Sequence, residues 1–308
     1  MPITSRALAL TVPALALPLL AGCAAPGAAG SDTGLSVVAS TSVYGAIAEV
    51  VAGGGATVTS IISAGNSDPH GYEATARDQL TLARADLVVQ NGGGYDPFVA
   101  ELLETAGSDA ILLSAVEDGE AAAHDSGEAE HHHEHGENEH VWYSLHAMEE
   151  LAGRIGNALA ELDAANADTY RDNAAEFSAG IEALEARAHE LGERFDGSTA
   201  LATEPVPLLL VEEAGIDDVT PVEFLAAIED ERDVPPAVLA ETLELIAAGG
   251  VDLVAFNRQT VDATSTRLVE AAEAGGVPVA DFTELPPEEV GYLDWMERNL
   301  NAIEEALE

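Results

Sequence analysis

The chain reads as an α/β protein of two pseudo-symmetric lobes, each a parallel sheet flanked by helices, joined by one long rigid helix. Three features of the sequence carry this. Short aliphatic runs alternate with helical stretches from Leu35 to Ser114, and the alternation resumes at Thr199. Between the two blocks, Ala147 to Phe195 is patterned as helix nearly throughout. Strands alternating with helices of this size predict mostly parallel sheets covered on both faces.

In the first block, "LSVVAS" (Leu35–Ser40) is a strand candidate, followed by a helical pattern from Tyr44 to Val51. "GGG" at Gly53–Gly55 ends that helix, and "ATVTSIIS" (Ala56–Ser63) is the second strand. Thr75 caps a helix over "ARDQLTLARA", "DLVVQ" (Asp86–Gln90) is the third strand, Asp96 opens a helix, and "AILLS" (Ala110–Ser114) is the fourth strand. The glycines of "NGGGYD" (Asn91–Asp96) let the chain turn tightly after "DLVVQ".

The alternation then stops. From Val116 to His140 the chain is charged, histidine-rich and poor in large apolar residues, a loop longer than most connections in compact domains. The helical stretch that follows breaks near Asp163–Tyr170. Its second part sets Tyr170, Ala174, Phe177, Ile181, Leu184, Ala188 and Leu191 three and four residues apart, one apolar stripe along a stiff strut. In the second block the strands are Thr199–Thr203, Val251–Phe256 and Val277–Phe282. Helices are expected over Pro205–Ala214, from Thr220-Pro221, and over Pro236–Ala248, Asp262–Ala274 and Glu288–Leu307.

Residues 1–22 stand apart from the fold. Arg6 precedes an apolar, proline-broken run, Ala7–Leu20, and "LAGC" brings in the one cysteine, Cys23. This resembles a bacterial lipoprotein signal, which implies cleavage before Cys23, a lipid on its thiol, and a chain anchored at the outer face of the cell membrane. One cysteine excludes both an intrachain disulfide and a cysteine-rich zinc module. Residues 23–34 read as a flexible tether. The expected divisions are then a first lobe over 35–167, which contains the acidic histidine-rich loop 116–140, a linking helix over 168–195, and a second lobe over 196–308.

Eleven arginines and no lysine stand against 56 acidic residues, a net charge of −45. Such a surface cannot neutralise phosphates and excludes nucleic acid as a partner. It concentrates cations near the protein.

In parallel sheets, ligands are met by loops beyond the carboxyl ends of the strands. Four metal-binding residue types stand at such exits. His70 follows the stiff Asp68-Pro69 pair after the second strand. His140 ends the acidic loop beside Val141-Trp142. Glu204 follows "TALAT" and precedes Pro205. Glu284 follows "VPVADF", with Asp281 three residues earlier as its alternative. Two imidazoles and two carboxylates make a mixed nitrogen and oxygen set for a first-row divalent cation, and a set filled by protein leaves no position for a reactive water. That is a carrier's site.

The lipoprotein signal, "GNSDPHGYEATARDQLTLARADLVVQNGGGYDPF", "EHVWYSLHAMEELAGRIGNALAELDAANADTYRDNAAEF", "LATEPVPLLLVEEAG" and "GYLDWMERNL" together resemble the metal-binding lipoproteins of zinc or manganese ABC importers (cluster A-I). The resemblance runs from about residue 35 to the end. It implies a cation held between the lobes by His70, His140, Glu204 and Glu284, delivery to an ABC permease, and a monomer. Here the segment usually written "DPHVW" reads "NEHVW". Glu204 stands where many zinc members carry histidine and many manganese members carry glutamate.

His124, His131, His132, His133 and His135 read as a weak, mobile collecting site for the metal, with an inert solvated loop as the alternative. Imidazole-rich capture and the Irving–Williams order favour Zn2+; two carboxylates leave Mn2+ as the second candidate. Arg258, after the "VDLVAF" strand, is expected to pair with a carboxylate of the cleft and hold its orientation. His146 reads as a surface or helix-start residue, with a supporting role beside the site as the alternative, and His189 as structural or exposed. An enzyme reading, a metal-dependent hydrolase with Glu204 or Asp281 as base, finds no H-E-x-x-H pair, nucleophile elbow or phosphate loop. Surface adhesion is a third reading, for which the sequence offers no adhesive feature.

Overall fold

A computed structural model describes residues 34–63, 72–116 and 138–308. His70, the five loop histidines and Cys23 lie outside the described residues. In the first lobe, β1 (Leu35–Thr41) leads into α1 (Ser42–Ala52), then β2 (Ala56–Ile62), α2 (Ala76–Leu82), β3 (Leu87–Gln90), α3 (Phe98–Ala106) and β4 (Ile111–Ser114). Two helices follow a 3₁₀ turn at Val141–Tyr143: α4 (Leu145–Leu162) and α5 (Ala167–Arg194). The second lobe runs β5 (Thr199–Ala202), α6 (Leu208–Glu213), β6 (Asp217–Asp218), α7 (Val222–Glu229), α8 (Pro236–Ala247), β7 (Leu253–Asn257), α9 (Ala263–Gly275), β8 (Val279–Phe282) and α10 (Tyr292–Leu307).

Both sheets are parallel, and both use one order: β2-β1-β3-β4 in the first and β6-β5-β7-β8 in the second. The central strands are buried along almost their whole length, as continuous apolar runs require when helices cover both faces. At the edge, β2 alternates partly buried with exposed residues. In each lobe the strand order reverses beside the first strand, so the carboxyl ends of β1 and β3, and of β5 and β7, flank the crevice where parallel sheets place ligands.

The stripe on α5 buries the seven expected residues, Tyr170 to Leu191. Toward its start, Asn173 donates to the Val51 carbonyl of α1 at 3.0 Å. Toward its end, Gly192 lies against Gly215, where an added Cβ on Gly215 would sit 2.7 Å from the Gly192 Cα. Gly215 also has φ +71°, so it is glycine for two reasons. Phe177 packs on Tyr292 of α10 with ring centroids 5.8 Å apart. Arg187 donates to Glu304 at 2.8 Å, and Arg194 pairs with Glu304 and Glu308. One helix therefore braces elements of both lobes.

Several boundaries differ from expectation, each for a local reason. Strand β6 is two aspartates with poor β propensity; pairing of Thr199 with Asp217 makes it a strand. The helix after Glu204 begins at Leu208, because Pro205 and Pro207 hold the residues before them extended or in turns. Asp96 does not open α3. It is buried and its carboxylate accepts from the backbone N–H groups of Asn91 and Gly92, closing the loop whose Gly92, Gly93 and Gly94 all have positive φ. Helix α10 starts at Tyr292, after a turn in which Glu289 has φ +63°. Thr75 does cap α2, in a reciprocal capping box with Asp78.

Two outcomes follow. Phe177→Ala should cost about 3–5 kcal/mol in urea unfolding, while Glu176→Ala, exposed on the next position, should stay within about 0.5 kcal/mol of the parent. Glu213, at the end of α6, accepts from the Leu145 N–H at 3.4 Å and is pushed up to about 7, mainly by burial and also by the charge of Glu185. An unfolded glutamate loses its proton near 4.5. The folded state thus binds this proton more tightly, and the group opposes folding increasingly as pH rises from the unfolded value through the folded one. Glu213→Gln should therefore match the parent's stability at about pH 4 and exceed it at about pH 8.

Candidate metal centre

The 3₁₀ turn after His140 inserts three consecutive large side chains, Val141, Trp142 and Tyr143, into the core. That burial pins His140, itself 2% exposed, at the start of the turn. Its ring lies edge-on to Trp142, with centroids 5.1 Å apart, and 6.3 Å from Tyr95. The Nδ1 atom is 2.8 Å from Asn138 Oδ1, which also accepts from the His140 backbone N–H at 3.0 Å. The other side of this segment is held by Asn91, whose amide donates to the Glu139 carbonyl at 3.0 Å.

Glu204 leaves the end of β5 and is partly buried. Asn257, the last residue of β7, donates its side-chain amide to Oε2, and the Thr260 hydroxyl donates to Oε1. Asn257 also donates to Thr260 at 2.8 Å, so the donors brace one another. Both oxygens of this carboxylate are thereby held in orientation.

Glu284 follows β8 and is 2% exposed. The Tyr95 hydroxyl, from the loop after β3, donates to Oε1 at 2.6 Å. Burial first, and then the charge of Glu284, push the Tyr95 phenol far above its ordinary range, so it stays a donor. A carboxylate offers about four lone-pair sites, so a hydroxyl and a cation can share it. Tyr95 also packs on Trp142 at 4.9 Å. His140, Trp142, Tyr95 and Glu284 therefore form one continuous contact chain from the first lobe to the second.

More hydrogen bonds cross the same seam. Asn138 donates to the Pro205 carbonyl at 3.0 Å, Tyr143 to the Thr283 carbonyl at 2.7 Å, and Tyr292 to the Trp142 carbonyl at 2.7 Å. The Tyr143 and Tyr292 phenols are raised by burial and remain donors. The residues next to Glu204 and Glu284 are thus tied by their backbones to the segment that carries His140.

Asp281 sits differently from Glu284. It lies on β8, exposed, and pairs with Arg258 at 2.9 Å, where both side chains are about half in water. Pairs so exposed contribute about 0–1 kcal/mol. Arg258 thus meets Asp281, while Asn257 and Thr260 orient Glu204. His146 and His189 are exposed, each facing a glutamate four residues on at 3.6 Å. Among the described residues, the triple whose ligand atoms all lie within 4.8 Å of one another is His146, Glu149 and Glu185, on α4 and α5.

Tyr95, Asn138 and Thr260 were not legible as site residues. Each lies at a long sequence distance from the candidate ligand it contacts or carries no motif of its own. The one available signal was an asparagine two residues before a histidine, a spacing at which Asx side chains bond back to nearby backbone N–H groups.

The family model for the zinc-uptake complex component A, periplasmic, matches residues 37–306. Among curated proteins, the zinc-binding lipoprotein AdcA of Streptococcus pneumoniae serotype 4 is 26% identical over 270 residues, covering 83% of this chain and 52% of the relative. The iron-binding protein YfeA of Yersinia pestis is 27% identical over 268 residues, 82% of this chain and 79% of the relative. The manganese-binding lipoprotein MntA of Halalkalibacterium halodurans is 27% identical over 175 residues, 56% of this chain and 55% of the relative. The chain thus spans about half the length of the AdcA relative. Among solved structures, the laminin-binding adhesin Lmb of Streptococcus agalactiae superposes with a TM-score of 0.73 at 19% identity, over 89% of this chain and all of that one. A crystal structure of ZnuA gives 0.69 at 21% identity, over 88% of this chain and 96% of that one. Two parallel four-stranded sheets with one strand order agree with these folds, and with its residues 37–306 matched from the first sheet to the last helix, the chain belongs to the ZnuA family.

Proposed function

We propose that this chain is a carrier, not a catalyst: it captures a divalent transition metal outside the cytoplasm, between its two lobes, and hands it to an ABC permease. The observation that carries the reading is the seam itself. His140, Glu204 and Glu284 each stand past the carboxyl end of a strand or in the loop that follows one, and each meets a neutral donor or acceptor that orients it. His70, on the segment after β2, completes the set in this reading. Glu284 is preferred to Asp281 because it is buried and bonded across the seam, while Asp281 is exposed and neutralised by Arg258.

Zinc is the foremost cargo. Imidazole donors and the Irving–Williams order favour it over manganese, and the histidine-rich loop leads directly into His140. The pair of carboxylates, Glu204 and Glu284, is the observation on the side of manganese. Relatives named for zinc, manganese and iron fit a site whose selectivity is set by small differences. Cys23 is the lipid attachment point in this reading, and the carrier works as a monomer tethered to the membrane. No helix among the described residues is long and apolar enough to cross a membrane.

Competitive calorimetric titration of the metal-free chain should show one tight zinc equivalent that manganese displaces poorly; manganese binding at equal strength would overturn the zinc assignment. Glu284→Gln should lower zinc affinity by more than the about 10- to 100-fold that loss of a supporting partner costs, and Asp281→Asn should leave it nearly unchanged. The reverse pattern would move the fourth ligand to Asp281. Deleting residues 120–135 should remove weak additional zinc equivalents and leave the tight one in place; loss of the tight site would make the loop part of it.

A further inference from the structure

We infer that Asn138 is a positioning residue: its side-chain carbonyl decides which ring nitrogen of His140 carries the proton, and its amide ties that choice to the approach of the second lobe. The inference deepens the carrier reading and rests on it where metal affinity is concerned.

The orientation of the Asn138 amide follows from its partners. The atom facing Pro205 lies 3.0 Å from a backbone carbonyl, which only accepts, so the NH2 group must be there. The side-chain oxygen then faces His140. It takes the backbone N–H at 3.0 Å and stands 2.8 Å from Nδ1. An amide oxygen cannot donate, so Nδ1 must carry the proton, and in the neutral ring the lone pair is on Nε2. A metal binds that lone pair, and a fixed partner on the other nitrogen sets both tautomer and ring orientation.

The aromatic rings that pack on His140 do not make this distinction. Trp142 and Tyr95 confine its plane, but their rings meet it as aromatic surfaces with centroids 5.1 and 6.3 Å away. Asn91 fixes the backbone through the Glu139 carbonyl and leaves the ring's proton undetermined.

The same amide does a second thing. Pro205 directly follows Glu204, so the bond from Nδ2 joins the histidine's segment to the glutamate's across the lobes. Rotating the carboxamide to break one bond breaks the other. Orientation of His140 and approach of Glu204 are therefore coupled through a single planar group. An aspartate here would keep the acceptor for Nδ1 but set a negative oxygen against the Pro205 carbonyl, and the link to the second lobe would be lost.

The test uses the full chain labelled with ¹⁵N-histidine, as parent, Asn138→Ala and Asn138→Asp. In the metal-free parent, His140 should show the Nδ1–H tautomer, and added zinc should shift Nε2. In Asn138→Ala the ring should divide between tautomers and zinc affinity should fall about 10- to 100-fold. Asn138→Asp should restore the tautomer, a rescue that a purely structural role would not give, and should recover only part of the affinity because the interlobe bond stays broken. An Nε2–H ring in the metal-free parent, or an alanine variant with an unchanged tautomer and unchanged zinc affinity, overturns the inference. Failure of the carrier reading looks different: zinc leaves the Nε2 resonance of the parent in place and His140→Ala binds zinc as tightly. The metal-free tautomers of the three proteins still decide the role of Asn138 in that case.

Discussion

The hydrogen bond from Tyr95 to Glu284 sets the terms for the rest of the molecule. A carboxylate that is 2% exposed is expensive to bury unless donors meet it. This donor comes from the opposite lobe, across 189 residues of sequence. Its phenol cannot ionise where it sits, since burial and the facing acid both oppose that. The seam therefore sets a carboxyl group inside with a neutral donor beside it. In the carrier reading, a divalent metal adds positive charge there.

Around that bond the two lobes repeat one solution. Each sheet has its switch point beside its first strand, and each places an asparagine at the end of the third: Asn91 after β3 and Asn257 at the end of β7. Asn91 holds the backbone that presents His140, and Asn257 holds the carboxylate of Glu204. Neutral amides suit this position. They orient a side chain without adding a charge of their own, where an arginine would neutralise a carboxylate outright. Arg258 stands one residue past Asn257 and is turned to Asp281 at the surface.

Helix α5 determines how much the lobes can move. It is bonded near its start to α1 and near its end to α10, and a glycine pair brings it against the turn before β6. Opening the seam by a hinge would mean breaking hydrogen bonds inside a helix of 28 residues. In the carrier reading, release by local movement of the loops that bear the candidate ligands costs less, and low-stability segments are where such motion resides. The Asn138 link is of that local kind, one side chain between two loops.

The strands, the helices and the stripe on α5 were legible in the chain because each follows from a local period. Alternation of buried runs with helical spacing gives two lobes, and steps of three and four from Tyr170 to Leu191 give the buried face of α5. Candidate ligands past the strands could be proposed for the same reason, since parallel sheets place ligand-contacting residues in those loops. Strand β6, the turn role of Asp96 and the start of α10 were not legible, because a partner strand, two backbone N–H groups and a turn with Glu289 at positive φ decide them against propensity. The supports of the site belong to the tertiary structure alone. Tyr95 and Glu284, or Asn138 and Pro205, meet only after both sheets have formed and α5 has set them face to face, and a contact between distant residues leaves no period in the sequence to read.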